Sequence, residues 1–253
     1  GDGMPIREGK DLREGDWVQI YRAGDVIPKV ADVDLKKRDL NSQSFVYPSE
    51  CPSCGSIATR DPKDAIRRCV NITNCPAQVI EKLKHFVSRG AFDIDGLGEK
   101  QIEQFYNDGW IKKPSEIFDL EEKYFLDLVN KDGWGKKSTD NLVTAIKEKR
   151  LISLNKLLFS LGIRHLGEGA SKLLARHYLN WNTFSKAMDA VCSNDIETWA
   201  DLISIDGVGE TLAGSLFDTF GNENQRSEIN RLIGKLDITT PEGTQSLNNL
   251  ICR

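Results

Sequence analysis

Ile94-Asp95-Gly96-Leu97-Gly98-Glu99 and Ile205-Asp206-Gly207-Val208-Gly209-Glu210 are nearly the same hexapeptide, far apart in one chain. Two variants stand between them, Lys131-Asp132-Gly133-Trp134-Gly135-Lys136 and Gly162-Ile163-Arg164-His165-Leu166-Gly167-Glu168. The second glycines, Gly98, Gly135, Gly167 and Gly209, recur at a spacing of a few tens of residues, which marks copies of one unit. Each copy lies between stretches of helical periodicity. Leu83, Phe86 and Val87 make one apolar stripe, Leu142, Val143 and Ile146 another, and Leu173, Leu174 and His177 a third. The pattern runs from about residue 78 to 236 and predicts a mainly α fold of short helices joined in pairs by glycine turns.

Glycine suits such a turn because it reaches backbone conformations closed to other residues. The second helix of each pair starts at once, so its free N–H groups stand beside the glycine N–H groups. That arrangement binds anions through backbone and helix dipole, without side-chain charge. A row of such turns suits a polyanion with regularly spaced phosphates, and Lys100, Lys136, Lys137, Arg164 and Lys172 stand at their mouths. The competing reading is an ordinary αα-corner, in which glycine only permits the bend. Dinucleotide and P-loop folds are excluded. No turn follows a predicted strand, the third glycine of G-x-G-x-x-G is missing, and no G-x-x-x-x-G-K-[ST] occurs.

The 253 residues carry 34 Lys and Arg against 38 Asp and Glu, a net charge of −4. Taken alone this argues against a nucleic-acid partner, but backbone donors relax that inference. The charge is also uneven. Residues 51–89 hold seven basic and three acidic side chains, residues 195–253 four basic and ten acidic. No apolar run is long enough to span a bilayer and the N-terminus lacks a signal-peptide core, so a reducing cytoplasm is expected.

Four of the six cysteines, Cys51, Cys54, Cys69 and Cys75, form a C-x2-C knuckle followed by a second pair. Four thiolates at this spacing predict a closed, structural Zn2+ site rather than disulfides. Before it, residues 16–33 read as two short strands broken at Ala23-Gly24-Asp25, and residues 34–50 as a polar linker. Two strands alone bury too little to be stable. Residues 237–253 have no periodicity and read as a frayed tail. Cys192 reads as a packing residue.

Together these pieces resemble the C-terminal part of bacterial-type NAD+-dependent DNA ligases. Arg22-Ala23-Gly24-Asp25-Val26-Ile27-Pro28 is similar to the last strands of that family's OB-fold domain, and the cysteine spacing to its zinc finger. Leu83-Lys84-His85-Phe86-Val87-Ser88-Arg89 with Asp93 to Gly98 resembles the entry to its helix-hairpin-helix domain. Leu161 to Glu168 resembles the third hairpin there. The resemblance implies an OB-fold remnant over 1–48, a zinc finger over 49–78, four hairpins over 79–236 and a tail over 237–253.

In function it implies sequence-independent binding of nicked double-stranded DNA. Arg22, Val26 and Ile27 would lie near the nick. Gly96, Gly98, Gly133, Gly135, Gly167, Gly207 and Gly209 would offer N–H groups to phosphates, beside Lys100, Lys136 and Arg164. His165 departs from the pattern by standing where a first glycine is usual. Thr139 and Ser171 replace a common alanine but stay small.

The K-x-D-G lysine that accepts AMP from NAD+ in this family is absent, so the chain alone is not expected to ligate. An adenylation domain would have to act with it, in cis or as a separate subunit. The chain is thus expected to be a fragment of a longer ligase or the natural non-catalytic subunit of a split phage ligase. Gly1-Asp2-Gly3 before Met4 reads as an added leader and favours the latter. An interaction scaffold, or the DNA-binding tail of a repair nuclease or polymerase, are the rival readings. The scattered tryptophans disfavour the first and the cysteine spacing the second.

Overall fold

The computed structural model describes residues 9–23, 27–60 and 66–241. By internal contacts the chain separates into two units, residues 1–76 and 77–253.

In the first unit β1 (Val18–Ala23) and β2 (Ile27–Val33) form an antiparallel pair, with Ile20 opposite Val30 and a bulge between Gln19 and Ile20. Little apolar surface is buried. Among the described residues only Val33 and Cys75 join the buried apolar set from this unit, while Trp17, Ile20, Tyr21 and Val30 are exposed. Charge holds it instead. The Arg38 guanidinium donates from Nε and Nη2 to Asp16 and from Nη1 to Asp11, each at 2.7 Å, with the Asp16 side chain 1% exposed. Arg13 reaches the Ser42 carbonyl at 2.7 Å. The segment over 34–50 is therefore tied down by ion pairs rather than a free linker. A second antiparallel pair, β3 (Ala58–Arg60) and β4 (Arg67–Cys69), follows the Cys51–Cys54 knuckle and ends on Cys69.

The second unit is α-helical around one apolar core. Helix α1 (Pro76–Val87) buries Val79, Leu83, Phe86 and Val87, and the Phe86 ring stacks on Phe92 at 4.2 Å between centroids. Helices α2 (Glu99–Asn107), α3 (Pro114–Ile117), α4 (Leu120–Val129) and α5 (Lys136–Glu148) follow. The rest comprises α6 (Leu154–Ser160), α7 (Glu168–Tyr178), α8 (Trp181–Cys192), α9 (Ile196–Ser204), α10 (Glu210–Gly221) and α11 (Glu223–Ile233).

The first two apolar stripes face this core as the periodicity requires. The third is rotated: α7 buries Ser171, Leu174, Ala175 and Tyr178, while Leu173 is half-buried and His177 exposed. Leu173 leans instead over the turn at Gly207, where its Cδ1 stands 2.9 Å from the position a Cβ would take. The tryptophans are less scattered than their spacing implies, since Trp110 and Trp134 both pack on Phe105.

The expected frayed tail is corrected at its start. β6 (Asp237–Thr239) runs parallel to β5 (Leu151–Ser153), pairing Ile238 with Ile152. Arg150 closes this corner by donating to the carbonyls of Lys235 (3.0 Å) and Phe118 (2.8 Å). Residues 242–253, with Cys252, lie outside the described residues.

Candidate metal centre and phosphate-binding turns

All four turns are built alike. The apolar residue between the glycines donates its N–H to the carbonyl three residues before it: Leu97 to Ile94 (3.2 Å), Trp134 to Lys131 (3.0 Å), Leu166 to Ile163 (3.0 Å) and Val208 to Ile205 (2.9 Å). Those apolar residues plug the core, Leu97, Leu166 and Val208 being fully buried. The second glycine then caps the helix. The carbonyls of Gly98, Gly135, Gly167 and Gly209 accept from Ile102, Thr139, Ser171 and Ala213, each at 3.0 Å. These four donor residues are all buried; Thr139, Ser171 and Ala213 are small, whereas Ile102 fills the same position in the first hairpin. Burial leaves the Thr139 hydroxyl without a partner, whereas Ser171 bonds back to the Gly167 carbonyl at 3.0 Å.

The two glycines of a turn differ physically. Gly96, Gly133 and Gly207 have φ of +81°, +78° and +81°, a region that side chains reach only under strain. Gly98, Gly135, Gly167 and Gly209 lie in ordinary extended backbone. A Cβ at Gly135, Gly167 or Gly209 would meet no protein atom within 4 Å, and at Gly98 only the flexible end of Gln101. Among the described residues no packing contact requires glycine there. The αα-corner reading thus explains the first glycines and leaves the second only the general preference for glycine at a helix N-cap.

Beside these glycines the first N–H groups of α2, α5, α7 and α10 have no intrahelical acceptor. Hairpin two is partly self-capped, because the Gly135 N–H donates to the Ser138 hydroxyl at 3.0 Å. Sequence reading missed this contact; its only signal was a serine three residues after the glycine. Lys100 and Lys136 sit exposed in the first turns of α2 and α5, and Arg164 is exposed beside His165. Glu168 heads α7, where Lys172 at 2.6 Å holds its carboxyl below the usual range.

Arg22 is exposed on β1 opposite Pro28. Of its expected neighbours, Ile27 is placed only as backbone, pairing with Ala23, and Val26 lies outside the described residues.

The cysteines converge. The sulfurs of Cys51, Cys54, Cys69 and Cys75 lie within 4.8 Å of one another, with Cys51–Cys75 at 3.8 Å and Cys54–Cys69 at 3.5 Å. Zn–S bonds of about 2.3 Å in a tetrahedron place sulfurs about 3.8 Å apart, so the donor set fits this ion. Gly55, at φ +69°, turns the knuckle as its N–H donates to the Cys51 carbonyl at 2.8 Å. The Asn71 N–H points at the Cys69 sulfur at 3.4 Å, a donor that favours thiolate. Burial pushes the Cys69 thiol up to about 12, while the Ser56 hydroxyl and backbone draw Cys54 down to about 6. A divalent cation would hold all four as thiolates.

A glycine-turn helical unit and a four-cysteine metal module define the class: a helix-hairpin-helix protein carrying a zinc finger. The comparisons agree. The model of the NAD-dependent DNA ligase C4 zinc finger domain matches residues 50–77, and that of the helix-hairpin-helix motif residues 156–229. A DNA ligase of Roseobacter denitrificans is 55% identical over 95% of this chain and 34% of its own length. One of Dinoroseobacter shibae is 54% identical over 93% of this chain and 32% of its own, and one of Ruegeria sp. 46% identical over 95% and 39%. The chain fits the C-terminal part of an NAD-dependent DNA ligase. It spans about a third of the length of these relatives.

Proposed function

We propose that this chain is the DNA-gripping, non-catalytic part of an NAD+-dependent DNA ligase, and that it binds nicked double-stranded DNA without reading sequence. The observation that carries this reading is the row of second glycines. Their backbone is ordinary, and the Cβ space of Gly135, Gly167 and Gly209 is open, so an approaching group could reach the N–H groups there. A phosphate approaching the N–H groups at a helix start is such a visitor. Contacts of this kind fix register and orientation and carry no base information.

The division of labour follows. Residues 1–48 would be the end of an OB-fold lying near the nick through Arg22, Val26 and Ile27. Residues 49–78 would be a zinc finger, and 79–236 the hairpin domain. The catalytic lysine would come from an adenylation domain in the same polypeptide or a second one, which alone would use NAD+. The sparse core of the first unit supports a need for further strands there. The site of action would be the cytoplasm of a bacterium, or of a phage-infected host.

The test has two arms. Gly167→Ala and Gly209→Ala are expected to weaken binding of a nicked duplex by about tenfold while lowering the thermal midpoint only by the small cost of an N-cap change, so that both stay folded. Mixing the chain with the catalytic part of an NAD+-dependent DNA ligase is expected to restore nick sealing that neither performs well alone. Unaltered DNA binding by both well-folded variants would overturn the glycine argument.

A further inference from the structure

Three of the four turns carry an acid and a glycine: Asp95-Gly96, Asp132-Gly133 and Asp206-Gly207. The third carries Arg164-His165 instead. The backbone is nonetheless the same. His165 has φ +65° where the glycines have +78° to +81°, and Leu166 still donates to Ile163 at 3.0 Å. A β-branch-free but full-sized side chain therefore occupies a conformation that three sister turns give to glycine.

The imidazole makes no use of that position within the protein. His165 is exposed and, among the described residues, takes no hydrogen bond or ion pair. The other two histidines do: His85 bonds the Phe159 carbonyl at 2.8 Å, and His177 meets Asp201 at 3.0 Å. Strain alone marks nothing, since Leu179 also has φ +65°, at the end of α7. What separates His165 is its place. It stands two residues before Gly167, in the turn where an acid has become an arginine, reversing the side-chain charge at the mouth of a phosphate-binding turn.

We propose that His165 is a DNA-contacting residue: its imidazole N–H donates to a backbone phosphate beside the one received by the Gly167 N–H. The third hairpin thereby adds an imidazole anchor beside the backbone donor of its own turn. Such a donor reaches farther than a glycine N–H and fixes one register of the duplex on the hairpin row. The inference rests on the DNA-binding reading above.

The experiment measures anisotropy of a labelled nicked duplex with the whole chain, alongside thermal midpoints. His165→Gly restores the residue of the sister turns. It is expected to keep or raise the midpoint, because strain is relieved, yet to weaken binding by about threefold to tenfold through loss of one phosphate contact. The opposite signs separate a ligand contact from a structural role. His165→Asn, which also tolerates a left-handed backbone but carries a shorter side chain, is expected to weaken binding as well. It supplies the comparison should glycine loosen the turn. Wild-type affinity in either well-folded variant would overturn the role of His165 and leave the DNA reading standing. No binding of the duplex by the unaltered chain would overturn that reading itself.

Discussion

At the scale of single residues, two glycines separated by one residue in the same hairpin do different work. Gly207 is held at φ +81° and its Cβ would come within 2.9 Å of Leu173 Cδ1, whereas Gly209 is extended and open. Gly207→Ala is expected to destabilise the helical unit by about 1–2 kcal/mol from backbone strain, with the Leu173 contact adding to it. Gly209→Ala, which only trades a favoured N-cap glycine for alanine, is expected to cost less, about 0.5–1 kcal/mol. Denaturant unfolding of the two variants reads the difference directly, and equal losses would refute the division of labour. The sequence showed that glycine recurs but not why, because conformational need and ligand approach select the same residue. Only the dihedral angles and the space around each Cα separate them. The cysteines were legible outright, since four ligand positions at knuckle spacing admit few other chemistries. Cys69→Ser is expected to lower bound zinc per chain well below one in metal analysis and to loosen the β3–β4 pair. Retention of a full equivalent would refute the ligand set.

Among the elements, the least core-dependent is the β1–β2 pair, and its ties are electrostatic. Hydrogen bonds from Arg38 hold the Asp16 carboxyl below its usual range, and those from Ser44, Arg38 and Arg13 hold Asp11 well below it. Carboxylates whose folded values are depressed stabilise the fold above the unfolded value and lose that contribution as pH falls through the folded one. The pair is therefore expected to hold at neutral pH and to loosen below about pH 4, the ordinary aspartate value. Arg38→Ala should loosen it already at neutral pH, by leaving two carboxylates without their shared cation. Amide hydrogen exchange of residues 18–22 and 29–33 checks both. Protection in the variant equal to wild type at neutral pH would show that the ion pairs hold nothing. This network was invisible in sequence because Asp11, Asp16 and Arg38 follow no period. The same limit hid β6: a three-residue strand pairing with β5 from six helices away leaves no local pattern to read. Local, repeated features such as the hairpins were legible; contacts between distant single residues were not.

Over the whole molecule, a net charge of −4 stands beside an inferred polyanionic ligand. The two are compatible only if much of the grip comes from neutral donors, and the geometry supplies them at four helix starts. Salt dependence measures the division. The slope of log K against log salt counts phosphates neutralised by lysine and arginine, at about 0.9 per contact on duplex DNA, whereas a backbone N–H neutralises none. The number of phosphates actually touched can be found independently, by ethylation interference on the nicked duplex. The slope is expected to fall clearly short of 0.9 times that number. The shortfall should also survive replacement of exposed lysines. Lys100→Ala and Lys136→Ala are each expected to lower the slope by about one, with the phosphate count changing in step. A wild-type slope equal to the full count would mean that side-chain cations carry the grip. The second glycines would then need another explanation.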